Sequence, residues 1–181
     1  MRYPLTFLTK QQDRVVIRPV RTGDLDSLLT FVNAFAKEHT YMMISGLTFT
    51  RAQEKIYLES ACKAKRKHEK IHLIALAGRK IVASAEVRRQ PARKNHVGVI
   101  GVAVAKQWRG RGIGKKLMQL LIDEATLLGL RLLILESFEE NIGAIGLYEK
   151  MGFRIAGVVP GMFHYQSGYQ GCVIMYRPLP V

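Results

Sequence analysis

In some stretches of this chain apolar positions run together or alternate, and in others they recur at helical spacing. The first kind predicts strands over Val15 to Val20, Ile71 to Ala77, Lys80 to Val87 and Asn95 to Ala105. Gly78-Arg79 supplies a turn between the second and third of these. Leu130 to Leu135 predicts a fully apolar strand, and Phe153 to Val159 and Cys172 to Arg177 predict two closing strands. The second kind predicts four helices. One starts at Thr22-Gly23-Asp24 and runs to about Glu38, with Leu25, Leu28, Leu29 and Val32 on one face. Another is capped by Thr50 and runs from Arg51 to about Lys67, with Ile56, Leu58 and Ala61 apolar. A third opens at Gly112 or Ile113, repeats Leu117, Leu120, Leu121 and Leu128 on its inner face, and ends at Gly129. The fourth is short, from Asn141 to Met151, and Gly152 closes it.

Pro160 to Gly171 reads as the one real loop, and nothing resembling a linker or repeat divides the chain. The order is strand, two helices, several strands in series, then helix, strand, helix and two strands. That order predicts an α/β or α+β fold around one mixed sheet. The 181 residues fit a single domain, with its core at about 15–178.

Composition narrows the setting. Two cysteines, Cys62 and Cys172, make no metal or disulfide spacing and fit a reducing cytoplasm. The start lacks a signal core, and the longest apolar run, Val97 to Ala105, is too short to span a bilayer. The formal charge of +14 is unusual. Its densest run, Lys63 to Lys70, falls at a helix end, where cations suit the macrodipole, and has no interleaved aromatic residues. It therefore reads as a solvated helix end and not as a specific nucleic-acid surface.

Gln107-Trp108-Arg109-Gly110-Arg111-Gly112-Ile113-Gly114-Lys115 carries the chemistry. It follows a strand and opens an amphipathic helix. Glycines permit a tight turn and a close ligand, and the free N–H groups at the helix start converge with the positive end of the dipole behind them. Arg109, Arg111 and Lys115 add mobile cations. This is a pyrophosphate site. The dinucleotide fingerprint fails because Lys115 stands where its third glycine belongs. The P-loop fails because Lys116 follows Gly114-Lys115 and Arg109 replaces its first glycine.

Arg109-Gly110-Arg111-Gly112-Ile113-Gly114 resembles the R/Q-x-x-G-x-G/A signature of the GNAT superfamily of acyl-CoA N-acyltransferases. Asn141-x-x-Ala144-x-x-Leu147-Tyr148-x-x-x-Gly152-Phe153 resembles that family's second stretch, at the expected separation. The resemblance implies a mixed, mostly antiparallel sheet flanked by helices. It implies acetyl-CoA as cosubstrate, no metal, and an acceptor that is a primary amine of a small molecule or a protein. It also implies that the backbone of Val102, Ala103 and Val104 binds the pantetheine arm. The amides of Gly110, Arg111, Gly112, Ile113, Gly114 and Lys115 hold the pyrophosphate, Asn141 contacts the pantetheine, and Tyr148 approaches the sulfur as an acid. Structural roles stay open beside these: Asn141 as a helix cap, Ala144 as a close-packing residue, Tyr148 as a core aromatic. Oligomeric state is open too, with homodimers frequent in the family.

Two residues stand as candidates for the base, directly or through water: Glu86 in a strand before the cofactor strand, and His96 at its start. Candidate acceptor walls are Glu38, His39, Tyr41, Met42, Met43 and the stretch from Phe163 to Tyr169. The charge supports one alternative class, a non-catalytic CoA-binding or nucleic-acid-associated module. His68-Glu69-Lys70-Ile71-His72 matches H-E-x-x-H, but it crosses from a helix end into a strand, where two histidines do not share a helical face.

Overall fold

The computed structural model describes residues 3–38, 41, 44–165 and 168–180. Its strands are β1 (Leu5–Leu8), β2 (Arg14–Pro19), β3 (Lys70–Ala77), β4 (Lys80–Arg89), β5 (Val97–Val104), β6 (Leu132–Phe138), β7 (Arg154–Tyr165) and β8 (Gly168–Pro178). Its helices are α1 (Leu25–Ala36), α2 (Arg51–Arg66), α3 (Ile113–Leu127) and α4 (Ile142–Lys150). The strands form one sheet in the order β1-β2-β3-β4-β5-β6-β8-β7. Every neighbouring pair is antiparallel except β5 with β6. This is the mixed, mostly antiparallel sheet expected. Among the described residues no helix is long and apolar enough to cross a membrane.

The period-two strands divide the core in two. Leu73, Ala85 and Val87 turn to the face covered by α3, where Leu117, Leu121 and Leu133 join them. Ile74 and Leu76 turn to the other face, against Leu28, Phe31 and Phe35 of α1 and Leu58 of α2. Local chemistry fixes each helix start. Thr50 caps α2 by accepting from the Gln53 amide, and the Gln53 side chain answers the Thr50 amide. A short 3-10 turn, Thr22–Asp24, leads into α1. There Asp24 accepts two bonds from the Arg18 guanidinium, each 2.7 Å, and one from the Arg21 amide.

Three expectations change. Over its described residues Pro160 to Gly171 is strand and not loop: β7 runs on to Tyr165 and β8 starts at Gly168, paired antiparallel, with register shifts between Val159 and Phe163 that accommodate Pro160 and Gly161. β1, too short to leave a pattern, adds an edge to β2. Ile56 is 69% exposed, because the inner stripe of α2 is Glu54, Leu58 and Ala61.

β5 and β6 pair at three positions, Val97 to Leu132, Gly98 to Leu133 and Val99 to Ile134, and then part. β6 continues with β8, and β5 continues with β4 alone. Gly98 holds the last shared stretch tight. A Cβ there would lie 2.8–2.9 Å from side-chain atoms of Leu130, Leu133 and Val87. Gly98→Ala is expected to cost about 1–3 kcal/mol by overpacking, read as a lower midpoint in denaturant with an unchanged m-value.

Candidate active site

Where β5 and β6 part, the sheet opens into a cleft of about 1560 Å³. That exceeds the roughly 300–1,000 Å³ of a single small-ligand site, so two reactants fit. One wall is the turn before α3. Gly110 and Gly112 lie at φ +73° and +88°, a region that side chains with a Cβ rarely adopt. These two positions bend the chain so that its amides face the cleft. Among the described residues none of the N–H groups from Gly110 to Lys115 donates to a protein acceptor; the helical ladder begins with Lys116 N to Gly112 O. Six consecutive unpaired donors at a helix N-terminus make a site for an anion.

The cations around it differ from the sequence reading. The Arg109 side chain is ion-paired with Glu38 and donates to Val104 O at 2.9 Å. Arg111 pairs with Asp13 at 2.6 Å and lies over the Trp108 ring. Both arginines brace the turn because nearby carboxylates satisfy them. Lys115 lines the cleft, as does Lys10, which sequence reasoning passed over because it comes from the β1–β2 turn.

The second wall is the open edge of β5. Val102, Ala103 and Val104 pair with Ala85, Ser84 and Ala83 of β4, and among the described residues no strand covers their other side. Across the cleft stands α4. Asn141 caps it, its side chain accepting from the Ala144 amide at 3.4 Å, and the residue lines the cleft. Ala144 and Tyr148 follow on the same face. Tyr148 is buried, yet it reaches the cleft and has no hydrogen-bond partner for its hydroxyl among the described residues. Burial pushes that hydroxyl's pKa up to about 12, so it stays protonated.

The far end of the cleft holds a network that the sequence does not announce. His72 of β3 stands directly opposite Glu86 of β4. Tyr57 of α2 donates to Glu86 at 2.6 Å, and Lys70 pairs with the same Glu86 oxygen at 2.7 Å. His72 has Nδ1 3.2 Å from the Tyr57 hydroxyl and Nε2 2.8 Å from the Ser84 hydroxyl. Burial works to raise the Glu86 pKa, but the charge and hydrogen bond of Lys70 and the bond from Tyr57 outweigh it and hold the group below the usual range. Burial pushes Tyr57 up strongly, helped by Glu86. Both ring nitrogens of His72 are thus engaged, while His68 is exposed at φ +58° at the end of α2. The H-E-x-x-H histidines do not converge.

The candidates separate accordingly. Glu86 is in the cleft. His96 is exposed before β5, and its carbonyl accepts from the Arg131 and Leu132 amides. Six steps along the strand, about 20 Å, separate it from Val102. Of the expected acceptor walls, Tyr41 and Phe163 line the cleft, and the Phe163 ring stacks on Phe138 at 4.1 Å. Glu38 is taken by Arg109 and by the Lys106 amide, and Tyr169 is exposed. His39, Met42, Met43, Gln166 and Ser167 lie outside the described residues.

The sequence pattern of the acetyltransferase (GNAT) family matches residues 34–153. The chain belongs to that family. The GNAT match takes in α2 through α4, and with them the glycine turn, the open edge of β5 and the polar network; Lys10, most of α1 and Phe163 lie outside it. Among curated relatives, a [ribosomal protein bS18]-alanine N-acetyltransferase of Salmonella typhimurium is 33% identical over 81 residues, 45% of this chain and 55% of the relative. The chain spans about half the length of the curated relatives it matches. Two solved structures share the fold. A GNAT-family acetyltransferase of Streptococcus pneumoniae superposes with a TM-score of 0.84 at 23% identity, covering 92% of this chain and 99% of that one. A phosphinothricin acetyltransferase of Sinorhizobium meliloti, solved in complex with AcCoA, gives 0.78 at 20% identity, covering 91% and 88%.

Burial pushes the His72 pKa down to about 4. The ring is therefore expected to stay neutral by NMR until the pH nears that value. An unfolded histidine titrates near 6.5, so the unfolded chain binds the extra proton between about 6.5 and 4. The stability this group contributes is complete above pH 6.5 and is lost as the pH falls through that window. Urea midpoints measured from pH 7 to 4 should fall, and a His72 resonance titrating near 6.5 would contradict this account.

Proposed function

We propose that this chain is an acetyl-CoA-dependent N-acetyltransferase acting on a primary amine of a small molecule or a protein. The observation that carries this reading is the run of unpaired amides from Gly110 to Lys115 beside the uncovered edge of β5. A cosubstrate with a pyrophosphate and an amide-bearing arm meets both needs at once. When bound, it supplies an acetyl group activated as a thioester.

The chain's own residues do the rest. The Gly110 to Lys115 amides bind the pyrophosphate, with Lys10 and Lys115 adding charge. The edge of β5 at Val102, Ala103 and Val104 pairs with the arm as an added strand would, and Asn141 has its amide nitrogen left over to donate. Arg109 and Arg111 act from behind, holding the turn. As the acceptor nitrogen bonds to the acetyl carbon and the carbon–sulfur bond breaks, Tyr148 gives its proton to the departing sulfur. Glu86 is ionised at neutral pH. It offsets the positive charge that grows on the attacking nitrogen and gives that nitrogen's proton a destination, directly or through water. The two free cysteines suit a reducing cytoplasm.

Gly112→Asp puts a carboxylate beside the pyrophosphate and a Cβ where φ is +88°. Acetyl-CoA affinity by calorimetry is expected to fall at least about 100-fold, a like-charge and lost-donor effect of several hydrogen bonds, with circular dichroism confirming a folded chain. Unchanged affinity in folded protein would refute the site.

Tyr148→Phe keeps the ring and its packing and removes only the proton donor. General acid catalysis is worth roughly 10²–10⁴-fold, and thiols are acidic, so single-turnover transfer should slow by about 10²-fold with acetyl-CoA affinity unchanged. A full single-turnover rate would make Tyr148 a packing residue.

A further inference from the structure

The inner stripe of α2 runs Glu54, Leu58, Ala61, and its first member is a carboxylate where the pattern calls for an apolar side chain. Glu54 is 5% exposed and lines the cleft. Among the described residues its carboxylate has no hydrogen bond and no ion pair. Lys70, the cation whose charge acts on it, already serves Glu86 and Tyr57. Buried carboxylates are normally paired, because an isolated buried charge is costly. This one instead opens onto the cleft.

We propose that Glu54 is the ammonium-binding residue of the acceptor pocket, and that the acceptor is a primary amine carried on an apolar or aromatic body. The second half follows from the apolar residues that line the cleft with it: Leu28, Phe31 and Phe35 of α1, Tyr57 one turn along α2, and Ile44 and Phe49 between the two helices. An alkyl or aryl group lies against them while its ammonium meets Glu54. Glu86 has the separate part of receiving the proton during transfer, and in the resting site Lys70 already balances its charge. Burial pushes the Glu54 carboxyl up, against the pull of Lys70, as expected of a site that awaits a cation. The inference rests on the acetyl-transfer reading, because it takes the α1–α2 side of the cleft as the acceptor end.

The test uses the full chain saturated with coenzyme A, with 2-phenylethylammonium and its neutral isostere 2-phenylethanol as probes, bound under NMR titration. Wild type is expected to prefer the ammonium by about 10–100-fold, the range of a charge-assisted hydrogen bond. In Glu54→Gln the preference should collapse to within about threefold. Glu54→Leu completes the apolar stripe and should raise Tm by about 2–4 °C while abolishing ammonium binding. The proposal is overturned if wild type shows no preference for the ammonium, if Glu54→Gln keeps it, or if Glu54→Leu lowers Tm. Acetyl-CoA affinity is measured by calorimetry on the same proteins free of coenzyme A. Its absence in wild type defeats the acetyl-transfer reading, whereas normal acetyl-CoA binding with selectivity indifferent to Glu54 defeats this inference alone.

Discussion

The site depends on a sheet that stops pairing part-way along one ladder. Backbone donors and acceptors demand partners when they leave water, and among the described residues no strand pairs with the β6 side of β5 beyond Val99, where Arg109 supplies one bond at Val104 O. Two neighbouring facts mark the point of parting. β6 pairs with β8 along its whole length from Leu132 to Phe138, but with β5 on its other edge only as far as Ile134. Gly98, pinned between Leu130, Leu133 and Val87, keeps the two strands in contact only at their shared end. The cleft therefore arises from strand pairing, and the turn before α3 then places its unpaired amides at the mouth of an opening that already exists.

Charge around that turn is arranged to hold it still. Arg109 ties it to Glu38 just past α1 and to Val104 O at the end of β5. Arg111 ties it to Asp13 in the β1–β2 connection. Guanidinium groups suit this work because their donors are fixed in a plane and reach two partners at once. The turn's glycines supply freedom of conformation, and the arginines remove freedom of motion.

The parts of the site legible in the sequence are those made of adjacent residues. The glycine turn, the helix it opens and the Asn141, Ala144, Tyr148 face of α4 each lie within a few residues of themselves, so spacing reveals them. The polar network is built otherwise. His72 and Glu86 meet through the β3–β4 register, and Tyr57 reaches them from a helix whose position depends on packing against β3. Nothing in a linear pattern reports such a meeting, which is why His72 read as half of a false metal motif and Tyr57 did not register. The same limit misplaced His96, six residues upstream of the open edge. It also misread the arginines, whose charges are visible in a sequence while their partners are not. Pro160 and Gly161 suggested a loop because they punctuate strands, and here they fall at a break in register inside a hairpin.

The polar network and the anion turn share almost no residues and are joined chiefly through β4 and β5. Ser84 and Glu86 of β4 face α2, while the backbone of the same strand pairs with Val102 and Ala103. Substitutions on α2, and on α1 away from Phe35, over whose ring Arg109 lies, can therefore change the network's half of the cleft while leaving the turn's unpaired amides unaltered. In an ancestry of such chains the two halves would drift at different rates, the turn slowly and the helices fast.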